Sequence, residues 1–208
     1  MNKQKSAKIT ESLKREYPDA ACSLVYGKDY ELLISARLSA QCTDARVNTV
    51  TPALFARYTS PREFAEADVR ELESYIESCG LYKTKAADIV EMCRRLVDVY
   101  GGKVPDNMDD LLTLRGVGRK TANLILGDVY GKPAVVTDTH CIRIANRLGL
   151  ADTKDPRKVE DALREAIAPE EQSDFCHRLV LHGRAVCTAR GPKCDKCVLA
   201  DLCEKRGV

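Results

Sequence analysis

Helix signals recur from one end of the chain to the other, and they limit the fold more than any other feature. Residues 3–17 read as a polar-faced helix with Ile9 and Leu13 inward, stopped at Pro18. Residues 30–40 are apolar on most sides (Leu32, Leu33, Ile34, Leu38) and predict a buried central helix. Val47, Val50 and Leu54 predict a shared inner face on the next. Ser60, Pro61 and Glu63 form a helix start, with Ser as N-cap, Pro at the first position and Glu closing a capping box. Asp68 and Glu71 repeat the device ahead of Leu72, Tyr75 and Ile76, with a stop at Gly80. Residues 85–100 place Ile89, Met92 and Leu96 on one side before Gly101 and Gly102. Short helices at 108–114 and 119–130 flank residues 115–118, and further helices are expected at 139–148, 156–168 and 170–185. Residues 133–136 are the one candidate for extended chain, so the expected fold class is all-α.

A chain of 208 residues suffices for one large domain or two small ones. Its 44% hydrophobic and 31% charged residues suit an ordinary soluble protein. A net charge of +2 argues against a long basic tail that coats nucleic acid, yet leaves room for a local basic face. The first residues are charged and lack the apolar core of a secretory signal. No apolar run approaches the roughly 20 residues of a membrane helix. A cytoplasmic monomer is the expectation.

Ten cysteines are many for such a chain, and their placement divides them. Cys22, Cys42, Cys79, Cys93, Cys141 and Cys176 are scattered, as small buried hydrophobes usually are. Cys187, Cys194, Cys197 and Cys203 crowd the C-terminal stretch, in a segment too short and polar to hold itself by packing. Four thiolates so close can surround one metal centre, and chemistry alone leaves both tetrahedral zinc and a [4Fe–4S] cubane open.

Leu114-Arg115-Gly116-Val117-Gly118-Arg119-Lys120-Thr121-Ala122 has its own physical logic. Glycines at 116 and 118 permit a tight turn with positive φ, and the following helix opens with free N–H groups at its positive pole. Together they make a concavity for one phosphate, a contact that reads no base sequence. Lys120 sits just inside that helix, where the dipole disfavours an ammonium, and a neutral amine is a nucleophile. Position alone leaves a solvated surface lysine as good a reading. Asp138, just before the helix at 139, reads by itself as an N-cap.

The segment 114–122 resembles the helix–hairpin–helix of the endonuclease III family of base-excision DNA glycosylases, with Arg115 where the family usually has Pro. The resemblance extends from about residue 30 to Cys203. It is strongest at 38–44, 80–86, 114–127, 137–140 and 181–203. It implies two all-α domains with the DNA site in the cleft between them. One is a six-helix barrel with the hairpin, expected at 22–132. The other, expected from 1–21 with 133–208, carries the cluster loop 187–203. By resemblance, Lys120 is the lyase nucleophile and Asp138 the catalytic carboxylate, in a Thr137-Asp138-Thr139-His140 segment whose Thr137 replaces a common Val. His140 reads as a packed structural residue.

Leu38-Ser39-Ala40-Gln41-Cys42-Thr43-Asp44 and Gly80-Leu81-Tyr82 also match the family. The match implies that Gln41 fills the gap left by a flipped nucleotide and that Leu81 is an apolar wedge between bases. Without it, Thr43 or Asp44 would merely cap a helix, and Leu81 would fold back onto the core. Lys83 and Lys85 suit phosphate contacts. The cysteine spacing is the one that holds [4Fe–4S] in the family, with Arg190 and Lys193 on the enclosed loop facing phosphates. DNA contacts are thus expected from Gln41, Leu81, Gly116, Gly118, Arg119, Arg190 and Lys193. The implied activity is excision of oxidised pyrimidines from duplex DNA, followed by β-elimination through a lysine Schiff base. A monofunctional mismatch glycosylase, which generally lacks the lysine, and a non-catalytic hairpin module that leaves Lys120 and Asp138 unexplained are the alternatives.

Overall fold

Caps and breakers in the sequence set most of the helix boundaries. In the computed structural model, which describes residues 3–208, α1 spans Lys3–Glu16, α2 Asp29–Leu38, α3 Asp44–Arg57, α4 Pro61–Ala65 and α5 Val69–Ile76. They are followed by α6 at Tyr82–Tyr100, α7 at Met108–Leu112, α8 at Arg119–Asp128, α9 at Thr139–Leu148, α10 at Pro156–Ala166 and α11 at Gln172–Ala185. Short 3₁₀ turns occupy Glu77–Cys79, Pro169–Glu171 and Cys194–Lys196. No strand occurs among the described residues, and residues 131–138 have no regular secondary structure. The all-α expectation holds.

The starts follow the expected chemistry, with one change. Ser60, Asp68 and Asp155 each accept a hydrogen bond from a first-turn N–H, and Pro61 and Pro156 occupy first helical positions. Glu63, however, accepts from the N–H of Thr59 at 2.7 Å, and Glu71 takes both its hydrogen bonds from Arg57. Neither closes a box on its own N-cap, because a residue outside the local motif offers a better donor. At the far end of α6, Gly101 turns left-handed at φ 61° and the N–H of Gly102 reaches the Leu96 carbonyl at 2.8 Å.

Two compact units result. One is Ser23–Tyr130; the other joins the described part of Met1–Cys22 to Gly131–Val208. In Ser23–Tyr130, α4 and α5 pack on α6, while α2 packs against α3, α6 and α8. Leu32, Leu33, Ile34 and Leu38 are all fully buried, as expected for a central helix. On α3 the inner face is Val47, Thr51 and Leu54; Val50 is only half-buried, so the apolar spacing pointed one residue off. Phe64 sits among Tyr30, Phe55 and Tyr58, with its ring centroid 4.9 Å from that of Tyr58.

In the other unit, α1 and α9 pack on α11, and α10 packs on α9. Ile9 and Leu13 are fully buried, and Ser6 Oγ donates to the Ala166 carbonyl at 2.7 Å. Four of the six scattered cysteines (Cys79, Cys93, Cys141, Cys176) are buried, while Cys22 and Cys42 are partly exposed.

Candidate active site and cluster loop

The hairpin between α7 and α8 is pinned from beneath by Leu114 and Val117, both buried. The N–H of Val117 closes the turn on the Leu114 carbonyl at 3.1 Å. Only Gly116 is left-handed, at φ 76°; Gly118 is extended and is the N-cap of α8, with no side-chain cap. The expectation of a tight turn holds, but one glycine supplies it. The other contributes its missing side chain, which leaves the first N–H groups of α8 uncovered.

Arg115 does not stand free beside the hairpin. Its Nε donates to Asp88 Oδ1 at 2.7 Å, while Arg37 donates to Oδ2 through Nε at 2.9 Å and Nη2 at 2.7 Å. Asp88, on α6, therefore ties α2 and the hairpin together. Burial opposes its charge, but the hydrogen bonds from Arg115 and Arg37 outweigh burial and hold the carboxyl below its usual range.

Lys120 is exposed at the second position of α8, directly after the hairpin. Asp138 lies in the other unit, where it caps α9: its Oδ1 accepts from the N–H of Cys141 at 2.7 Å. The irregular run that delivers it is buried at Ala134, Val135, Val136 and Thr137. His140, half-buried, meets Nη2 of Arg143 at 3.1 Å through Nδ1, and a Cβ on Gly183 of α11 would lie 2.4 Å from that nitrogen. Its packed position agrees with a structural role.

Gln41 and Leu81 share an unusual backbone. Both are exposed, and both are left-handed without being glycine, at φ 55° and φ 48°. For Leu81 that conformation is strained, and 53% of its surface faces solvent. It does not fold back as a cap contact. Thr43 caps α3 by accepting from the N–H of Arg46. Lys83 is exposed, but Lys85 is fully buried and cannot reach a phosphate. The signal was present in the spacing: Lys85 falls on the same face as Ile89, Met92 and Leu96.

The four C-terminal cysteines line one small cavity of about 20 Å³, open to solvent, together with Arg147, Val186, Pro192 and Ala200. Burial pushes the Cys197 thiol up, with the charges of Cys187, Cys203 and Cys194 adding to it, so four bare thiolates there would repel one another. N–H groups meanwhile approach two sulfurs: Arg147 Nη1 donates to Cys187 and the N–H of Lys205 to Cys203, each at 3.3 Å. Such a donor set suits a cationic centre with thiolate ligands. Arg147 also donates to the carbonyls of Thr188 at 2.8 Å and Ala189 at 3.2 Å, which fixes the loop that carries Arg190 and Lys193. Both loop residues are exposed, and Lys193 Nζ donates to the Ala185 carbonyl at 3.2 Å. Sequence reasoning passed over Arg147, although it lies on the inner face of α9 beside Ile144 and Leu148.

The uncovered hairpin and the four-cysteine loop fall in the segments by which the chain matches a known class, the helix–hairpin–helix base-excision DNA-repair proteins with an iron–sulfur segment. Two family models match, "HhH-GPD superfamily base excision DNA repair protein" over residues 34–169 and "Iron-sulfur binding domain of endonuclease III" over residues 187–203. The chain is 46% identical to the endonuclease III of Synechocystis sp., over 97% of this chain and 92% of that one. It is 42% identical to that of Haemophilus influenzae, over 98% and 97%. A solved endonuclease III, trapped as a covalent intermediate with DNA in an estranged-adenine complex, matches with a TM-score of 0.92 at 42% identity, covering 99% of this chain and 98% of that one. The chain belongs to the endonuclease III family. It is accordingly a base-excision-repair DNA glycosylase and AP lyase with a [4Fe–4S] cluster.

Proposed function

We propose that the chain excises oxidised or ring-saturated pyrimidines from duplex DNA and then nicks the abasic strand, with Lys120 as nucleophile and Asp138 as its carboxylate partner. The observation that carries the reading is Lys120 itself: an exposed amine on the first turn of α8, immediately after a hairpin whose uncovered N–H groups suit a phosphate. The covalent DNA intermediate of the solved relative is consistent with a protein nucleophile.

The target nucleotide swings out of the stack, because C1′ cannot be attacked inside the duplex. Lys120 Nζ forms a bond to C1′ as the glycosidic bond breaks and the base departs with its electron pair. Asp138 accepts a proton or stabilises positive charge on the sugar. The nitrogen lone pair then opens the sugar ring: the C1′–O4′ bond breaks, O4′ takes a proton, and the resulting Schiff base acidifies C2′. Loss of that proton breaks the C3′–O bond, and the 3′ phosphate leaves.

Gly116, Gly118 and Arg119 hold the backbone, Gln41 and Leu81 occupy the opened stack, and Arg190 and Lys193 take phosphates beside the cluster loop. Cys187, Cys194, Cys197 and Cys203 are the cluster ligands. When bound, the cluster cross-links the loop and supplies no step of the glycosidic chemistry. A DNA-repair enzyme works beside the genome, so we place the protein in the cytoplasm, at the nucleoid in a bacterium.

Borohydride trapping on a thymine-glycol duplex tests the reading. A covalent adduct mapped to Lys120, absent in Lys120→Gln, is expected. Base release without any adduct would instead assign a monofunctional glycosylase. Duplex binding without base release from any oxidised pyrimidine would overturn the proposed substrate.

A further inference from the structure

The first turn of α6 carries a lysine that the reaction does not use. Lys85 is 0% exposed, and its Nζ donates to two carbonyls, Leu38 and Cys79, at 2.8 Å each. Leu38 is the last residue of α2, and Cys79 ends the 3₁₀ turn that follows α5. Carbonyls at helix ends lack an intrahelical partner and carry the negative pole, so a cation is the right group to place between them. Burial holds the Lys85 pKa below the usual lysine value. A buried charge is retained at that cost when it has something specific to hold.

What it holds is the spacing of two loops. Gln41 follows Leu38 by Ser39 and Ala40, and Leu81 follows Cys79 by Gly80. Lys85 also reaches across Gly80, since its own N–H donates to the Leu81 carbonyl at 3.0 Å. Both Gln41 and Leu81 sit in the left-handed region, where a residue other than glycine persists only if its surroundings hold it there. All of these groups lie within Ser23–Tyr130.

We propose that Lys85 is a positioning residue of the DNA-opening step: one buried ammonium, shared between the Leu38 and Cys79 carbonyls, sets the distance between Gln41 and Leu81 so that both side chains enter the base stack together. This rests on the reading of Gln41 and Leu81 as the stack-entering pair.

Lys85→Met keeps the bulk and removes the donors. Three readouts separate positioning from general damage: single-turnover base release from a thymine-glycol duplex at saturating enzyme, borohydride trapping on a single-stranded abasic oligonucleotide, and affinity for undamaged duplex. Trapping needs Lys120 but no opened stack, and undamaged duplex engages the hairpin. Duplex excision is expected to fall at least about tenfold, with trapping and affinity within about twofold of wild type. A 2-aminopurine beside the lesion should brighten less on binding. Wild-type excision by Lys85→Met overturns the proposal, and so does an equal fall in all three readouts. Gln41→Ala and Leu81→Ala on the same duplex separate the two ideas. If they slow excision while Lys85→Met does not, the Lys85 proposal alone fails. If both leave excision unchanged, the stack-entry reading fails and takes the proposal with it. Should Lys85→Met not fold, Lys85→Gln, which keeps donors at shorter reach, is expected to show the same selective loss in smaller measure; wild-type excision there overturns the proposal.

Discussion

Gly116 and Gly118 look alike in the sequence and differ in the fold. Gly116 is left-handed, and a Cβ on it would lie 2.7 Å from Cδ and Nε of Arg37. Gly116→Ala should therefore destabilise the protein by about 1–2 kcal/mol and weaken duplex binding, because Arg37 must shift from Asp88. A Cβ on Gly118 would meet nothing within 4 Å, and its backbone is extended. Gly118→Ala should cost no more than about 0.5 kcal/mol. Urea unfolding with anisotropy on a short duplex checks both, and equal costs would contradict the asymmetry. The Gly-x-Gly turn was legible in the chain; that Arg37 of α2 packs where a side chain on Gly116 would lie was not, because Arg37 is distant in sequence.

At the scale of elements, Asp88 joins α6 to α2 and to the hairpin. Removing its charge leaves Arg37, which is mostly buried, without its partner. Arg115 is 63% exposed and matters less. Asp88→Asn should lower stability at neutral pH by about 2 kcal/mol. Because the folded carboxyl titrates below its usual range, its contribution is present above the unfolded pKa and fades as pH falls through the folded one. The loss thus belongs below about pH 4, and in urea titrations Asp88→Asn should flatten that acid limb. Glu171, held low by hydrogen bonds from Lys14 and Arg178, acts in the same direction in the other unit and should leave the variant some acid sensitivity. Helix starts needed no such partners to be seen. Asp155 accepts from the N–H groups of Arg157 and Lys158 next to Pro156, and Asp155→Ala should cost about 1 kcal/mol in thermal unfolding.

At the scale of the molecule, the unit with the cysteine loop is assembled from both ends of the described chain, with α1 packed on α11. The loop itself has few backbone bonds of its own, among them the N–H of Lys193 to the Val186 carbonyl at 3.0 Å. Four thiolates in one cavity need their cationic centre, so metal binding and local folding are coupled there. Chelation under reducing conditions should collapse amide-exchange protection across residues 187–203, while Ser23–Tyr130 keeps its protection and helical circular dichroism. Unchanged protection at 187–203 would mean that packing alone holds the loop.

Most helices, their caps, the hairpin and the crowding of four cysteines could be read from the chain because each depends on residues a few positions apart: an N-cap and the first turn it serves, a glycine and its turn, four thiols within one loop. Family resemblance then marked Gln41, Leu81, Lys120 and Asp138. The tertiary structure decided what those short-range rules do not reach. It buried Lys85 against a carbonyl from α2, turned Arg115 onto Asp88, gave Thr51 the place expected of Val50, and sent Arg147 into the cysteine loop. A charged side chain's role is set by the partner that removes it from water, and that partner lies far away in sequence.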